Sequence, residues 1–163
     1  MFKAVILTIS DRGAKGERED SSGPLIQEMI RILPAEIIHS EMIPDEKEKI
    51  AEVLKKSSDR LKADLILTTG GTGLSPRDVT PEATREVIDK EVPGFSEAMR
   101  AGSLRKTPHA MISRAVSGVR GSTLIINLPG SPKAARENLS VILPALPHAL
   151  SKLKGDPAEC GQK

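Results

Sequence analysis

Aromatic side chains are almost absent: the 163 residues include two Phe and neither Trp nor Tyr. A chain without stacking platforms is poorly equipped to bind single-stranded nucleic acid. Charge of one sign is missing as well, because 24 Lys and Arg face 22 Asp and Glu. Neither a polyanion-binding face nor attraction to an anionic membrane surface follows from such a balance, so no nucleic-acid or membrane partner is expected. There is one cysteine, Cys160, in a tail rich in Gly, Pro and charge. No disulfide framework can form within the chain, and a reducing, cytoplasmic setting is the expectation. The N-terminal MFKAVILTIS runs directly into Asp11 and Arg12, too short to span a bilayer and without a small-residue cleavage site.

What is present reads as an α/β protein. The length suits one domain, one that buries roughly 70% of its unfolded surface, expected over residues 1–153 with 154–163 as a flexible tail. Four apolar runs, Ala4 to Ile9, Glu36 to Ile43, Leu65 to Leu67 and Leu124 to Leu128, alternate with segments of helical period. That alternation predicts a mostly parallel sheet between helices, a three-layer α/β/α sandwich. The helical segments are Pro24 to Leu33, Asp45 to Leu61, Pro81 to Lys90, Gly94 to Lys106 and Pro132 to Leu153, the last interrupted by Pro144 and Pro147. In the second, Ile50, Val53, Leu54, Ser57 and Leu61 form a stripe that should face the sheet. Residues 107–122, with Pro108, Gly118 and Gly121, are expected to hold a short hairpin or an irregular arm.

The densest chemistry lies in L-I-L-T-T-G-G-T-G-L-S-P-R-D-V-T-P-E-A-T, Leu65 to Thr84. An apolar strand enters a turn with Gly70, Gly71 and Gly73, where backbone N–H groups can approach an anion with no Cβ in the way. Thr80 is the expected N-cap of the next helix, with Pro81 in its first turn and Glu82 favourable there. A carboxylate beside a phosphate makes sense if a hard cation such as Mg2+ lies between them, which would explain Asp78. A plain glycine-rich turn with a solvated Asp is the competing reading. Neither G-x-G-x-x-G opening a helix nor G-x-x-x-x-G-K-[ST] occurs, so this is not a standard dinucleotide or P-loop site.

In an open α/β sheet the ligand lies beyond the carboxyl ends of the strands. Those exits carry Ser10, Asp11 and Arg12; Pro44 and Asp45; Thr68 to Asp78; and Asn127, Pro129, Gly130, Ser131, Pro132 and Lys133. Each has a plainer alternative. Asp45 suits a helix N-cap, Ser10 and Asp11 suit a turn, and N-L-P-G-S-P-K suits a rigid entry into the last helix. That last segment also offers a helix amino end, a hydroxyl and an ammonium to a second phosphate or another anion. His39, His109 and His148 have no i, i+4 partner or cysteine pair, so a zinc centre has little support. With no G-x-S-x-G and the thiol in the tail, a covalent nucleophile is not indicated.

The glycine segment resembles the signature of the molybdenum cofactor biosynthesis family that includes MogA, MoaB and the gephyrin G domain: an apolar strand, T-x-G-G-T-G, a spacer and an Asp. The likeness continues in T-I-S-D-R at 8–12, I-P-D-E at 43–46, D-V-T-P-E-A-T at 78–84, P-G-F-S-E-A-M-R at 93–100, S-R-A at 113–115 and N-L-P-G-S-P-K-A at 127–134. The resemblance implies a MogA-like fold and molybdopterin adenylyltransferase activity, the transfer of AMP from ATP to molybdopterin with release of pyrophosphate. It assigns Asp45 and Asp78 to Mg2+ and catalysis, and Thr69, Gly70, Gly71, Thr72 and Gly73 to the nucleotide. Asn127, Pro129, Gly130, Ser131, Pro132 and Lys133 fall to molybdopterin, and Ser10 and Asp11 to substrate contact. It further implies a homotrimer, or a hexamer, and a molybdenum insertion protein as partner. A chain ending soon after its last helix is more similar to the compact MoaB-type members, for which a non-catalytic molybdopterin carrier or scaffold is the alternative.

Overall fold

The computed structural model describes residues 1–157; Cys160 and the part of the expected tail after Pro157 lie outside the described residues. Six strands form one sheet: β1 Phe2–Ile9, β2 Ala35–Ile43, β3 Leu65–Thr69, β4 Lys90–Glu91, β5 Ser117–Arg120 and β6 Thr123–Leu128. Their order is β2-β1-β3-β6-β5-β4. The first four positions are parallel, whereas β5 and β4 pair antiparallel at one edge. The four apolar runs are therefore the four parallel strands. Ala4 to Leu7 and Leu65 to Leu67 are fully buried, as expected for parallel strands covered on both faces.

Side chains alternate across that sheet and divide the core in two. Ala4, Ile6, Leu65, Leu67, Leu124 and Ile126 point to one face, and Val5, Leu7, Ile66 and Ile125 to the other. The first face is covered by α2 (Ser22–Met29), α5 (Pro93–Leu104), α6 (Pro132–Ile142) and α7 (Leu146–Leu153), through Ile26, Met99, Leu139 and Leu150 among others. The second is covered by α3 (Lys47–Asp59) and α4 (Thr80–Val87). Ile50, Val53, Leu54 and Ser57 are buried as the stripe predicts, and Leu61 packs on the same cluster from just beyond the helix end.

Several boundaries differ from the sequence reading for identifiable reasons. The helix expected from Asp45 starts at Lys47, with Glu46 at the N-cap position, so Asp45 does not cap it. Thr80 is the first residue of α4 rather than its cap; its hydroxyl donates instead to the Gly70 carbonyl at 2.9 Å. Pro144, lacking an N–H, sits in a 3-10 turn, Leu143–Ala145, that separates α6 from α7. Residues 107–122 contain both expected forms: a 3-10 segment, Pro108–Ile112, then the β5–β6 hairpin, with Gly121 at positive φ in its two-residue loop. The short helix α1 (Asp11–Ala14) and the two-residue β4 have no counterpart in the sequence reading.

Candidate active site

The topology itself creates clefts at the carboxyl ends of the parallel strands. The chain leaving β1 turns to α2 on one face, whereas that leaving β3 turns to α4 on the opposite face, and β6 leads back to α6 on the first. Neighbouring strands that send their loops apart leave a crevice between them. Here β3 diverges from both neighbours, so there are two crevices with the glycine loop as the partition. One cavity, of about 320 Å³, is lined by Thr8 to Ser10, Gly13, Asp20, Met42 and Asp45 on one side and by Thr69 to Gly71 and Asp78 on the other. A second, of about 430 Å³, is lined by Thr72, Gly73, Arg100, His109, Ile112, Ser113 and Asn138, with others. Gly71, Asp78, Gly130 and Ser131 belong to both.

The partition can be thin because its residues lack side chains. Gly70 has φ +104° and Gly71 φ +67°, regions that favour glycine. A Cβ on Gly70 would overlap the carbonyl oxygen of Ile9, and one on Gly71 would overlap the Thr80 hydroxyl and come within 3.1 Å of an Asp45 carboxylate oxygen. Across the loop, a Cβ on Gly73 would stand 2.9 Å from Asp78 Oδ2. A Cβ on Gly130 would stand 3.2 Å from the Gly70 Cα. The two acids therefore flank one glycine loop, and the β6 exit closes against it.

Electrostatics at this point are unbalanced. Asp45 is half-buried, and burial is the chief cause that raises its carboxyl above the ordinary range, reinforced by the negative charges of Asp11 and Asp78. Asp11 and Asp45 exchange hydrogen bonds, each backbone N–H donating to the other's carboxylate at 2.9 and 3.0 Å. Asp11 is neutralised by Arg77, whose Nε and Nη2 both donate to it at 2.9 Å, and this bond is the main cause holding its carboxyl low. Asp78 accepts from the Ser75 N–H at 3.0 Å. Asp45 and Asp78 thus face a common cavity with no such cationic partner bonded to either among the described residues, a donor pair suited to a hard cation that also takes oxygens from substrate phosphates. Among the described residues no cluster of three His, Cys, Asp or Glu could hold a metal by itself.

The other expected site residues divide clearly. Ser10 and Thr69 line the first cavity, Thr72 and Pro129 the second. Thr69 donates its hydroxyl to the Pro129 carbonyl at 2.7 Å, and Ser131 accepts from the Ala134 N–H at 3.1 Å as the N-cap of α6. Pro132 and Lys133 line neither cavity. Asn127 is the clearest correction: it is fully buried, accepts from the Val116 N–H at 3.1 Å and donates to the Thr68 and Thr84 hydroxyls at 3.0 and 2.9 Å. Its amide is consumed in tying β6 to its neighbours. Among the histidines, His39 pairs with Glu41 at 3.1 Å, whereas His109 lies on the second cavity. The sequence reading missed Asp20, Arg100 and Arg114. Asp20 accepts from Thr8 and Gly23, both at 2.8 Å, and Arg100 donates to the Ala115 carbonyl at 3.0 Å. Only the run S-R-A at 113–115 hinted at Arg114, and nothing local tells which loop an arginine will grip.

Residues 5–148 match the family described as a probable molybdopterin binding domain. A Helicobacter pylori (strain J99) protein named molybdopterin adenylyltransferase is 44% identical over 97% of this chain and 91% of its own length. The solved MoaB enzyme of molybdopterin biosynthesis from Thermus thermophilus is 57% identical, with a TM-score of 0.91 over 98% of this chain and all of that one. The MoaB structure from Pyrococcus furiosus, described as a tungsten cofactor synthesizing protein, is 39% identical, with a TM-score of 0.82 over 94% of this chain and 97% of its own. With the family matched across most of its length, and with relatives this similar end to end, the chain belongs to the molybdopterin binding domain family.

Proposed function

We propose that this protein is a molybdopterin adenylyltransferase, transferring AMP from ATP to the terminal phosphate of molybdopterin. The observation that carries this reading is the pair of cavities sharing Gly71, Asp78, Gly130 and Ser131. Two substrates in adjoining chambers would meet across a partition one backbone thick, and holding reactants in contact is itself a large part of catalysis. The polar first cavity, with the glycine amides and both acids, takes the triphosphate. The second takes the pterin, against Arg100, His109, Ser113 and the aliphatic surface of Ile112 and Ala134.

The reaction needs no protein nucleophile. An oxygen of the molybdopterin phosphate attacks the α-phosphorus of ATP, a phosphoanhydride bond forms, and the bond from the α-phosphorus to the bridging oxygen breaks with pyrophosphate as leaving group. The chain's part is to align two anions and stabilise charge on the phosphoryl group in transfer. Loop amides of Gly71 to Gly73 and the amino end of α6 at Ser131 bind and orient phosphate oxygens, whereas the Gly70 N–H donates to the Leu128 carbonyl at 3.1 Å. Asp45 and Asp78 would hold Mg2+, which when bound offsets the negative charge of the phosphates. Asp45 and Asp78 face one cavity, and a cation there would offset the burial of the Asp45 charge first and its repulsion from Asp11 and Asp78 second, which is why those residues fit such an ion.

The sheet and its helices, residues 1–153, act in this reading as one cytoplasmic unit, which passes its product to a molybdenum insertion protein. Self-association, a trimer by family resemblance, would cover Met111, an apolar side chain exposed on the arm before β5. The deciding experiment mixes protein, ATP, Mg2+ and molybdopterin and follows pyrophosphate. Release dependent on both substrates is expected. Retention of pterin without release would make the protein a carrier instead.

A further inference from the structure

The acid that both cavities share sits in a loop with few bonds of its own. Between β3 and α4, residues 74–77 are exposed, and the tip is closed by bonds between Ser75 and Asp78. Its exposed tip is tied to the β1 exit by the Arg77–Asp11 pair, whereas what fixes its two ends comes from a distant segment. Arg114, half-buried on the stretch leading into β5, donates through Nε to the Gly73 carbonyl at 2.7 Å and through Nη2 to the Asp78 carbonyl at 2.8 Å. Its Nη1 pairs with the Glu82 carboxylate in the first turn of α4, and its backbone N–H donates to the Thr72 carbonyl at 2.9 Å. One residue therefore holds both ends of the 73–78 segment and the helix that follows.

Arg114 is itself braced. Asn127 accepts from the Val116 N–H at 3.1 Å and donates its own backbone N–H to the Val116 carbonyl at 3.0 Å, while Arg100 donates to the Ala115 carbonyl. The buried amide of β6 thus anchors the strand segment from which the guanidinium reaches out. Because each peptide is planar and trans, carbonyls drawn toward Arg114 turn the N–H groups of Gly73, Leu74 and Val79 to the opposite side of the loop.

We propose that Arg114 is a positioning residue of the transfer site, setting the Asp78 backbone and the glycine-loop amides in the orientation that receives a metal–triphosphate. This rests on the functional reading above for the identity of the ligand, and on the clamp geometry for the role. A planar fork is required: lysine keeps the charge but has one nitrogen, which cannot reach Gly73, Asp78 and Glu82 together. The bonds are made to main chain and to the Glu82 carboxylate rather than to substrate, so Arg114 acts through Asp78 and the loop.

The test compares R114K, R114A and E82Q with the parent protein in three measurements. Mn2+ is titrated in the presence of ATP by its electron paramagnetic resonance signal, amide hydrogen exchange is followed over residues 72–79, and pyrophosphate release is measured against molybdopterin. Loss of an outer residue that orients a metal ligand typically costs about 10–100-fold in metal affinity. In R114K the half-saturating Mn2+ concentration is expected to rise by about that factor, with faster exchange at 72–79, unchanged exchange in β3 and a molybdopterin KM altered only slightly. E82Q, which leaves both carbonyl bonds intact, is expected to move these values much less. Wild-type Mn2+ affinity and loop exchange in R114K would overturn the proposal, as would an E82Q effect as large as that of R114K, which would reduce Arg114 to a helix ion pair. R114K keeps the proposal testable if R114A does not fold. Absence of pyrophosphate release from the parent protein would refute the adenylyltransferase reading alone, since exchange and Mn2+ titration still decide the role of Arg114.

Discussion

Replacing Gly70 with alanine tests the partition between the two cavities. At φ +104° the new residue would occupy backbone space outside the left-handed well that L-residues occasionally adopt, a cost of about 1–3 kcal/mol. Its Cβ would overlap the Ile9 carbonyl oxygen, a backbone atom at the end of the central strand β1 that has no rotamer with which to yield. Shifting the main chain to relieve such overpacking costs about 1–3 kcal/mol more. The sum is roughly 2–6 kcal/mol, and at about 2–4 °C per kcal/mol for a domain of this size the melting temperature should fall by on the order of 4–24 °C. Thermal unfolding by circular dichroism, at one fixed protein concentration, reads this directly. Gly94→Ala is the control, because nothing lies within 4 Å of its added Cβ and its φ is not in the positive range, so its melting temperature should hold or rise slightly. Pyrophosphate release well below the transition should also fall in G70A, as the loop amides are displaced. A G70A protein that melts within about 2 °C of its parent and turns over normally would show that the glycine loop does not have this geometry.

The same arrangement yields three more expectations. Asp78→Asn should fold normally and lose adenylylation by on the order of 10²-fold, comparable to the loss of one oxyanion-hole donor; near-normal turnover with molybdopterin and ATP would remove Asp78 from the mechanism. Asp45 carries a carboxyl raised chiefly by burial, so its ionisation destabilises the fold above its own pKa, and the penalty disappears as pH falls through that pKa toward the unfolded value. Asp45→Asn should therefore be inactive yet more stable than the parent at pH 7, with the advantage shrinking on acidification; denaturant midpoints measured across pH would expose the error if the difference were flat or reversed. Asn127→Leu orphans the buried Val116 N–H and should lower unfolding free energy by about 1–3 kcal/mol, whereas an unchanged denaturant midpoint with lost pterin binding would restore Asn127 as a ligand.

Much of the molecule was legible along the chain because its determinants are local. The central parallel strands β1, β3 and β6 are apolar runs of a kind that suits a sheet covered on both sides, the edge strand β2 is more polar, and the α3 stripe repeats at helical spacing. Gly70, Gly71 and Gly73 announce a turn where side chains cannot fit. Where the reading failed, the competing interaction was distant in sequence: Thr80 gave up capping for the Gly70 carbonyl. For Asp45 it was the plainer alternative, the helix cap, that lost to a distant bond, with Asp11.

By itself the sequence determined the class of fold, the position of the glycine loop and the acids that exit beside it, since periodicity, turn chemistry and motif spacing act over a few residues. Tertiary structure alone decided that one loop would wall two chambers, that Asn127 would be spent inside the sheet, and that Arg114 would reach across 36 residues to the Asp78 carbonyl. Hydrogen-bonding groups are satisfied by whatever the fold brings within about 3 Å, and that proximity is a property of strand order and crossover direction rather than of neighbours along the chain.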